Sequence, residues 1–221
     1  MKKHFEKLIT EYIDERNHDC WREPLVGFAD AKDLPGTGIE DPWTVVIYFI
    51  PFTPFLNDAN KVEVMASEKW ISVYRETGDL INGINEMLVS EIRDIGYEAL
   101  AIAGDIDAFA YRAGLGTYGI NGRLITRKGC SGRFGAVITS LRVINDEPLT
   151  EDLCRHLSRG HCGVCIKNCG AKAISYDGID EKACREFCLA NAAALKKQTD
   201  RLDADEVCGK CISFSPCACL K

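Results

Sequence analysis

The sequence predicts an α/β (α+β) layered core with a mixed sheet, followed by a small cysteine-rich module. Strands and helices alternate through the first two thirds of the chain, as is typical of layered cores. Residues 43–50 form an apolar, β-branched run, which is expected of a central strand buried on both faces. Ten of the 12 cysteines lie within residues 154–219. We therefore expect two domains, with residues 1–150 as a core that holds a cofactor pocket and residues 151–221 as the cysteine-rich module.

The remaining elements of the core are predicted from the spacing of apolar residues. Residues 3–18 and 62–95 carry apolar stripes at helical spacing, the second with a break near Gly78. Gly96 occupies the position at which helices commonly end. Residues 105–112 predict a further helix. Shorter strands are predicted at residues 96–102, 124–126 and 134–144.

Composition and charge exclude several classes of protein. The chain has 221 residues, of which 46% are hydrophobic, enough for one substantial core. Its first residues are polar and do not resemble a signal peptide. No apolar run approaches the roughly 20 residues that span a bilayer, so we expect a soluble, cytoplasmic protein. The net charge of −6 argues against a broad nucleic-acid-binding face.

The cysteine-rich module contains two motifs typical of iron–sulfur proteins. A bacterial two-cluster ferredoxin motif runs C-x2-C-x2-C-x3-C-P, and its fourth cysteine ligates the other cluster. Cys162, Cys165 and Cys169 match its last three positions, whereas Arg159 takes the first and cannot ligate. These matches predict a ferredoxin-like module with [4Fe–4S] clusters.

A second motif follows near the C-terminal end, where Cys208 and Cys211 form a C-x2-C pair and Ser215 replaces the last cysteine. Under crossed ligation, Arg159 and Ser215 fall in the same cluster, which therefore lacks two ligands. The other cluster has a complete set of ligands: Cys169, Cys208, Cys211 and either Cys184 or Cys188.

Nearby thiols can substitute for the two missing ligands. Cys154 lies on one side of the incomplete set, and Cys217 or Cys219 lies on the other. We expect two [4Fe–4S] clusters, and the alternative is that the incomplete one is lost or altered.

Zinc is the competing interpretation of the clustered thiols, because two C-x2-C pairs also form zinc ribbons. The long gap between the pairs and the surplus thiols favour iron–sulfur clusters. His156 and His161 flank the cysteines and are predicted to be surface residues rather than ligands. Cys20 is predicted to be a small buried side chain, and Cys130 lies in a loop beside a glycine-rich stretch.

That glycine-rich stretch, residues 112–126, contains a literal G-x-G-x-x-G. A dinucleotide-binding fingerprint follows a strand and opens a helix, whereas here a helix is predicted before the stretch and a strand after it. No acidic residue stands about 20 positions further on to bind a ribose. The stretch is interpreted either as a tight turn that needs positive φ angles or as a backbone surface that lets a flat cofactor approach closely.

Residues 113–126 read Ala-Gly-Leu-Gly-Thr-Tyr-Gly-Ile-Asn-Gly-Arg-Leu-Ile-Thr and resemble the AGLGW-x-GKN-x-LLI stretch of the epoxyqueuosine reductase family. With the cysteine-rich end, the resemblance extends over most of the chain from about residue 43. The chain resembles short members of this family, which is distantly related to reductive dehalogenases. It departs from the family pattern at residues 117–118, which replace a Trp-aromatic pair, and at Ile120, which replaces a lysine.

The resemblance implies a cobalamin-binding α/β domain of nitroreductase-like architecture, joined to a module with two [4Fe–4S] clusters that feed electrons to the cobalt. It implies a proton donor at Asp105, Asp107 or Tyr118, and the alternative role of the two aspartates is to cap the following helix. The residues that it implies for cofactor binding are Gly114, Gly116, Gly119, Asn121 and Gly122.

The function expected from these patterns is an iron–sulfur oxidoreductase. It would take electrons from a low-potential donor such as ferredoxin or flavodoxin and pass them to a cobalamin or a small-molecule substrate in the core. The alternatives are a non-catalytic ferredoxin-like electron carrier or adaptor, and an interaction protein stabilised by zinc.

Overall fold

The computed structural model describes residues 1–16, 19–31, 38–62, 64–102, 106–195 and 208–220. The chain divides into two compact units. The first consists of Met1–Pro51, Thr77–Thr117 and Gly132–Thr150, and the second of Phe52–Glu76, Tyr118–Ser131 and Glu151–Lys221. The second unit therefore takes in two stretches from the first two thirds of the chain together with the cysteine-rich segment.

A four-stranded sheet forms the centre of the first unit. Its strands are β1 (Leu25–Asp30), β2 (Thr44–Pro51), β3 (Ala99–Ala101) and β6 (Gly132–Thr139), in the order β1-β2-β6-β3. All eight residues of β2 are buried, which confirms the predicted central strand. The sequence did not predict β1.

The sheet is antiparallel in all three of its pairings, so the prediction of a mixed sheet is wrong. Val46 on β2, for example, lies opposite Phe28 on β1 and Val137 on β6. A continuous apolar strand is typical of parallel sheets because helices cover both of their faces. Here an antiparallel strand is buried just as completely, and the apolar run does not distinguish the two pairings.

Helices α1 (Lys2–Asp14) and α3 (Glu68–Asp94) contribute apolar side chains to the core of the first unit. Helix α3 is unbroken over 27 residues, so the predicted break near Gly78 is wrong. A Cβ at Gly78 would lie 2.9 Å from an Nη atom of Arg133, which shows that the glycine makes room for this guanidinium. Inside the core, the Tyr48 hydroxyl lies 2.8 Å from Asn85 Oδ1.

Two helices of the first unit end at glycines with positive φ. Helix α3 ends before Gly96, at φ +90°, as predicted, and α4 (Ile106–Arg112) ends before Gly114, at φ +65°. No atom of the described residues lies within 4 Å of the position that a Cβ of Gly96 would take. A Cβ at Gly114 would instead overlap the backbone carbonyl oxygen of Glu147. The chain's own packing therefore requires glycine at position 114.

Short elements make up most of the second unit. A two-stranded sheet consists of β4 (Gly116–Tyr118) and β5 (Leu124–Thr126). The other elements are α2 (Pro54–Ala59), α5 (Arg155–Arg159), α6 (Val164–Lys167), β7 (Ile174–Ser175), β8 (Gly178–Ile179), α7 (Glu181–Leu195) and α8 (Lys210–Ser213). In the described part of the chain, no helix has the length and apolar character needed to cross a membrane.

The packing at Gly114 leads to a first prediction. Gly96→Ala should lower the free energy of unfolding by about 1 kcal/mol, because an alanine must adopt the left-handed conformation. Gly114→Ala should lower it by about 3 kcal/mol, because the same strain is joined by a collision with a backbone oxygen. Denaturant unfolding of both variants measures the difference. Equal losses would contradict the packing role of Gly114.

Candidate functional site

Four thiols of the second unit line one small cavity. They are contributed by Cys154 at the start of α5, Cys162 and Cys165 around α6, and Cys217 near the C-terminal end. Burial is the largest cause that raises the pKa of the Cys165 thiol, to about 11, and Cys217, Cys154 and Cys162 all add to it. The four sulfurs are therefore close enough to interact, and they are called the first thiol set below.

The first thiol set contains two of the three candidate substitutes that the sequence offered for its missing ligands. Cys154 and Cys217 line the cavity beside Ser215, whereas Arg159 is exposed at the end of α5. Cys219 makes other contacts: its Sγ accepts a hydrogen bond from Asn57 Nδ2 at 3.0 Å and lies 3.3 Å from the carbonyl oxygen of Phe52. The structure thus brings Cys217, and not Cys219, to the cavity.

A second group of four thiols comes together around Cys211. Burial is the largest cause that raises the pKa of the Cys211 thiol, to about 12, and the neighbouring Cys208, Cys184 and Cys169 raise it further. We call these four residues the second thiol set. It combines the last cysteine of the first motif with the pair from the second motif, which is the crossed arrangement that the sequence predicts.

Cys188 contacts the second thiol set through hydrogen bonds. Its thiol bonds Cys208 and Cys184, and the bond to Cys208 is the largest cause that raises the pKa of Cys188. The same bond is the largest cause that lowers the pKa of the Cys208 thiol to about 6. Cys208 is thereby favoured as a thiolate and Cys188 as its protonated donor. Cys184 and Cys188 are one turn apart on α7 and so share a face of that helix.

Positive charges lie near both thiol sets. Arg123 lowers the pKa of thiols in the second set. Lys210, only 3% exposed, also lowers the pKa of Cys208 through its charge, and its Nζ donates a hydrogen bond to the carbonyl oxygen of Asn60. The charge of Arg155 likewise lowers the pKa of the Cys217 thiol. These cations favour thiolates, which are the form of cysteine that binds metal.

Cys217 is the centre of a hydrogen-bond network at the edge of the first set. Cys130 Sγ donates to Cys217 Sγ at 3.9 Å, and Ser215 Oγ lies 3.1 Å from the same sulfur. The bond to Cys130 is the largest cause that lowers the pKa of Cys217 to about 6, and it raises that of Cys130. Sequence reasoning did not assign Cys130 to a site, and its only signal was its place beside the glycine-rich stretch.

The glycine-rich stretch borders the first thiol set through Asn121, which lines the cavity and is only 2% exposed. The Asn121 side chain accepts a hydrogen bond from the backbone of Arg123 at 3.3 Å, while its buried Nδ2 has no hydrogen-bond partner in the described part of the chain. His156 also lines the cavity, and its buried Nδ1 likewise has no partner. Its ring packs 4.9 Å from that of Tyr176, so this predicted surface residue is partly buried.

The other glycines implied for cofactor binding lie against side chains of the same unit or within a strand. A Cβ at Gly119 would lie 2.8 Å from Asn121 Oδ1, and one at Gly122 would lie 3.0 Å from Ile179 Cγ2. Gly116 is buried in β4. The positive φ angles of Gly114 and Gly122, +65° and +69°, confirm the tight-turn interpretation. A helix precedes and a strand follows the stretch, so the dinucleotide interpretation gains no support.

The predicted proton donors are distributed over different parts of the chain. Asp107 lies in the first turn of α4, in the first unit. Tyr118 belongs to the second unit and is 39% exposed. Asp105 lies outside the described residues.

Comparison with solved structures identifies proteins whose fold is similar to that of this chain. The catabolic reductive dehalogenase NpRdhA matches with a TM-score of 0.59 and 18% identity, over 76% of this chain and 27% of its own. A selenomethionine-labelled epoxyqueuosine reductase matches with a TM-score of 0.56 and 18% identity, over 98% of this chain and 66% of its own. The Streptococcus thermophilus epoxyqueuosine reductase matches with a TM-score of 0.55 and 16% identity, over 98% of this chain and 65% of its own.

This chain thus spans about a quarter of the length of the dehalogenase and just under two thirds of the length of the reductases. Comparison with protein-family models gives no match, and neither does comparison with curated protein sequences. The chain has the fold that epoxyqueuosine reductases and reductive dehalogenases share.

Proposed function

We propose that this protein is an iron–sulfur oxidoreductase whose second unit holds two [4Fe–4S] clusters and passes single electrons to an acceptor. One observation carries the proposal: two sets of four thiols form in one unit, and each set joins cysteines of the first motif to cysteines of the C-terminal segment, with Cys154 and Cys217 as substitutes from outside the two motifs. Crossed ligation of this kind is the hallmark of two-cluster ferredoxins.

The donor set fits a cluster better than a single ion. In a [4Fe–4S] cluster each thiolate binds a different iron, whereas one zinc ion holds its four sulfurs at about 2.3 Å. Within the described residues, no group of three or more His, Cys, Asp or Glu side chains is placed to hold a metal ion, so the number and the sequence origin of the thiols support the clusters. Two full sets of four thiols also account for most of the cysteines, which a single zinc ribbon does not.

The residues of each set have defined roles in this proposal. The first thiol set would hold one cluster, and Cys169, Cys184, Cys208 and Cys211 would hold the other. Arg155, Arg123 and Lys210 would favour the thiolate form and offset the negative charge of the loaded sites. A bound cluster supplies one-electron oxidation and reduction, typically at low potential.

The oxidoreductase interpretation is preferred to a simple electron carrier because the shared fold covers 98% of this chain and therefore extends well beyond the cysteine-rich segment. A carrier would need only the cysteine-rich module. The electron donor, a ferredoxin or flavodoxin, stays a prediction.

The cobalamin also stays a prediction. One of the related dehalogenase structures is described as suggesting a B12-dependent mechanism. In this chain the contacts of Gly114, Gly119 and Gly122 are explained by neighbouring residues of the protein itself. The described residues thus do not require a corrinoid. Asp107 and Tyr118 remain the predicted proton donors among the described residues.

The assignment of Cys217 leads to a second prediction. After anaerobic purification, the wild-type chain should contain about eight irons and eight sulfides. Cys217→Ser should reduce both to about four, because it removes a ligand of the first set. Cys219→Ser is the matched control, because it changes a neighbouring thiol outside the set, and it should leave about eight. Iron loss from the Cys219 variant alone would contradict the assignment.

The contacts of α7 lead to a third prediction, which decides between Cys184 and Cys188. Because the pKa of Cys211 is affected by Cys184, Cys208 and Cys169, Cys184 is proposed as the ligand. Cys184→Ala should halve the iron and sulfide content, whereas Cys188→Ala should retain both clusters. The reverse pattern in an iron and sulfide assay would assign the ligand to Cys188.

A further inference from the structure

The cavity of the first thiol set carries a buried polar group without a partner. Asn121 lines this cavity, is 2% exposed, and its Nδ2 makes no hydrogen bond to any residue that the structure describes. A buried amide N–H without a partner lowers the stability of the folded chain, because its bond to water is lost and not replaced. A ligand in the cavity would supply a partner.

The orientation of the Asn121 amide is set by its neighbour. The backbone N–H of Arg123 donates to the side-chain oxygen of Asn121 at 3.3 Å. Because a backbone N–H can only donate, the acceptor oxygen of the amide must face it. The NH₂ group is then the part of the side chain left to donate elsewhere.

Ser215 is the second polar group on this cavity. Its Oγ lies 3.1 Å from Cys217 Sγ and 3.8 Å from Cys130 Sγ. A thiolate bound to iron carries no proton, so between Ser215 and Cys217 only the hydroxyl can donate. Ser215 occupies the last ligand position of the second motif, and Cys217 is the substitute ligand. The Ser215 hydroxyl therefore faces the sulfur of the cysteine that takes its place.

We propose that Asn121 and Ser215 donate hydrogen bonds to sulfur atoms of the cluster in the first thiol set and thereby raise its reduction potential. The inference rests on the proposed function. Reduction adds negative charge to the cluster, and N–H or O–H donors directed at sulfur stabilise that charge. Both are positioning residues that adjust the cluster without ligating iron. Asn121, which the family resemblance implied for cobalamin, is thereby assigned to the cluster.

The experiment is a redox titration of the full chain, purified without oxygen and followed by electron paramagnetic resonance. Asn121→Leu keeps the branched shape of the side chain and removes the donor. Ser215→Ala removes the hydroxyl, and Ser215→Thr restores it. The matched control is Ser213→Ala, because Ser213 is a buried serine on the same segment whose Oγ bonds Asn60 and does not line the cavity.

The expected result is that one of the two cluster potentials becomes more negative in Asn121→Leu and in Ser215→Ala, while the other potential stays constant. Ser215→Thr should restore the wild-type value, and Ser213→Ala should not shift the affected potential. Iron content is measured on every sample. If Asn121→Leu loses iron, its potential cannot be compared with that of the wild type, and the two Ser215 variants decide whether a donor at this cavity raises the cluster potential.

Two results would overturn the inference, and they are distinguishable. If the variants keep about eight irons but both potentials stay at wild-type values, the two residues do not act on the cluster and the proposed function stands. If the wild-type chain binds no iron and sulfide, the proposed function fails and this inference fails with it.

Discussion

The crossed use of the two cysteine motifs is the constraint on which the second unit depends. Neither thiol set is complete unless the segment around α6 and the C-terminal segment lie side by side. Backbone hydrogen bonds hold the C-terminal segment in that place: Cys130 N donates to Cys217 O at 2.9 Å, and Ser131 N donates to Ala218 O at 3.1 Å. Because these segments are short and irregular, ligation would supply much of their stability.

The loop of residues 118–131 connects the two sets. Asn121 lines the first cavity, Arg123 acts on thiols of the second set, and Cys130 contacts Cys217. The same loop carries part of the glycine motif on which the family resemblance rests. Gly119 and Gly122 make close contacts within the protein, and two polar side chains, Asn121 and Arg123, act at the thiol sets. A motif that suggests a cofactor surface in the sequence thus serves to organise the cysteine-rich region in the structure.

Sequence patterns predicted the parts of this arrangement that depend on local spacing. The central strand, the helix before Gly114 and the proximity of Cys169 to Cys208 and Cys211 all follow from periodicity or motif spacing. The choice between Cys217 and Cys219 does not, because it depends on Asn57 and Phe52, which lie more than 160 positions away from Cys219. The prediction of a mixed sheet was wrong because a strand buried on both faces can pair in either the parallel or the antiparallel direction. The sequence predicts a helix break at Gly78 because it does not show that the Arg133 guanidinium lies against this glycine.

The most direct test of the account is Mössbauer spectroscopy of the wild-type chain, purified without oxygen from cells grown on ⁵⁷Fe. The account predicts that essentially all of the iron belongs to [4Fe–4S] clusters, at about eight irons per chain. It also predicts two one-electron reductions, one for each thiol set. Iron or zinc bound as single ions, without acid-labile sulfide, would contradict the assignment of the two thiol sets and with it the proposed redox function.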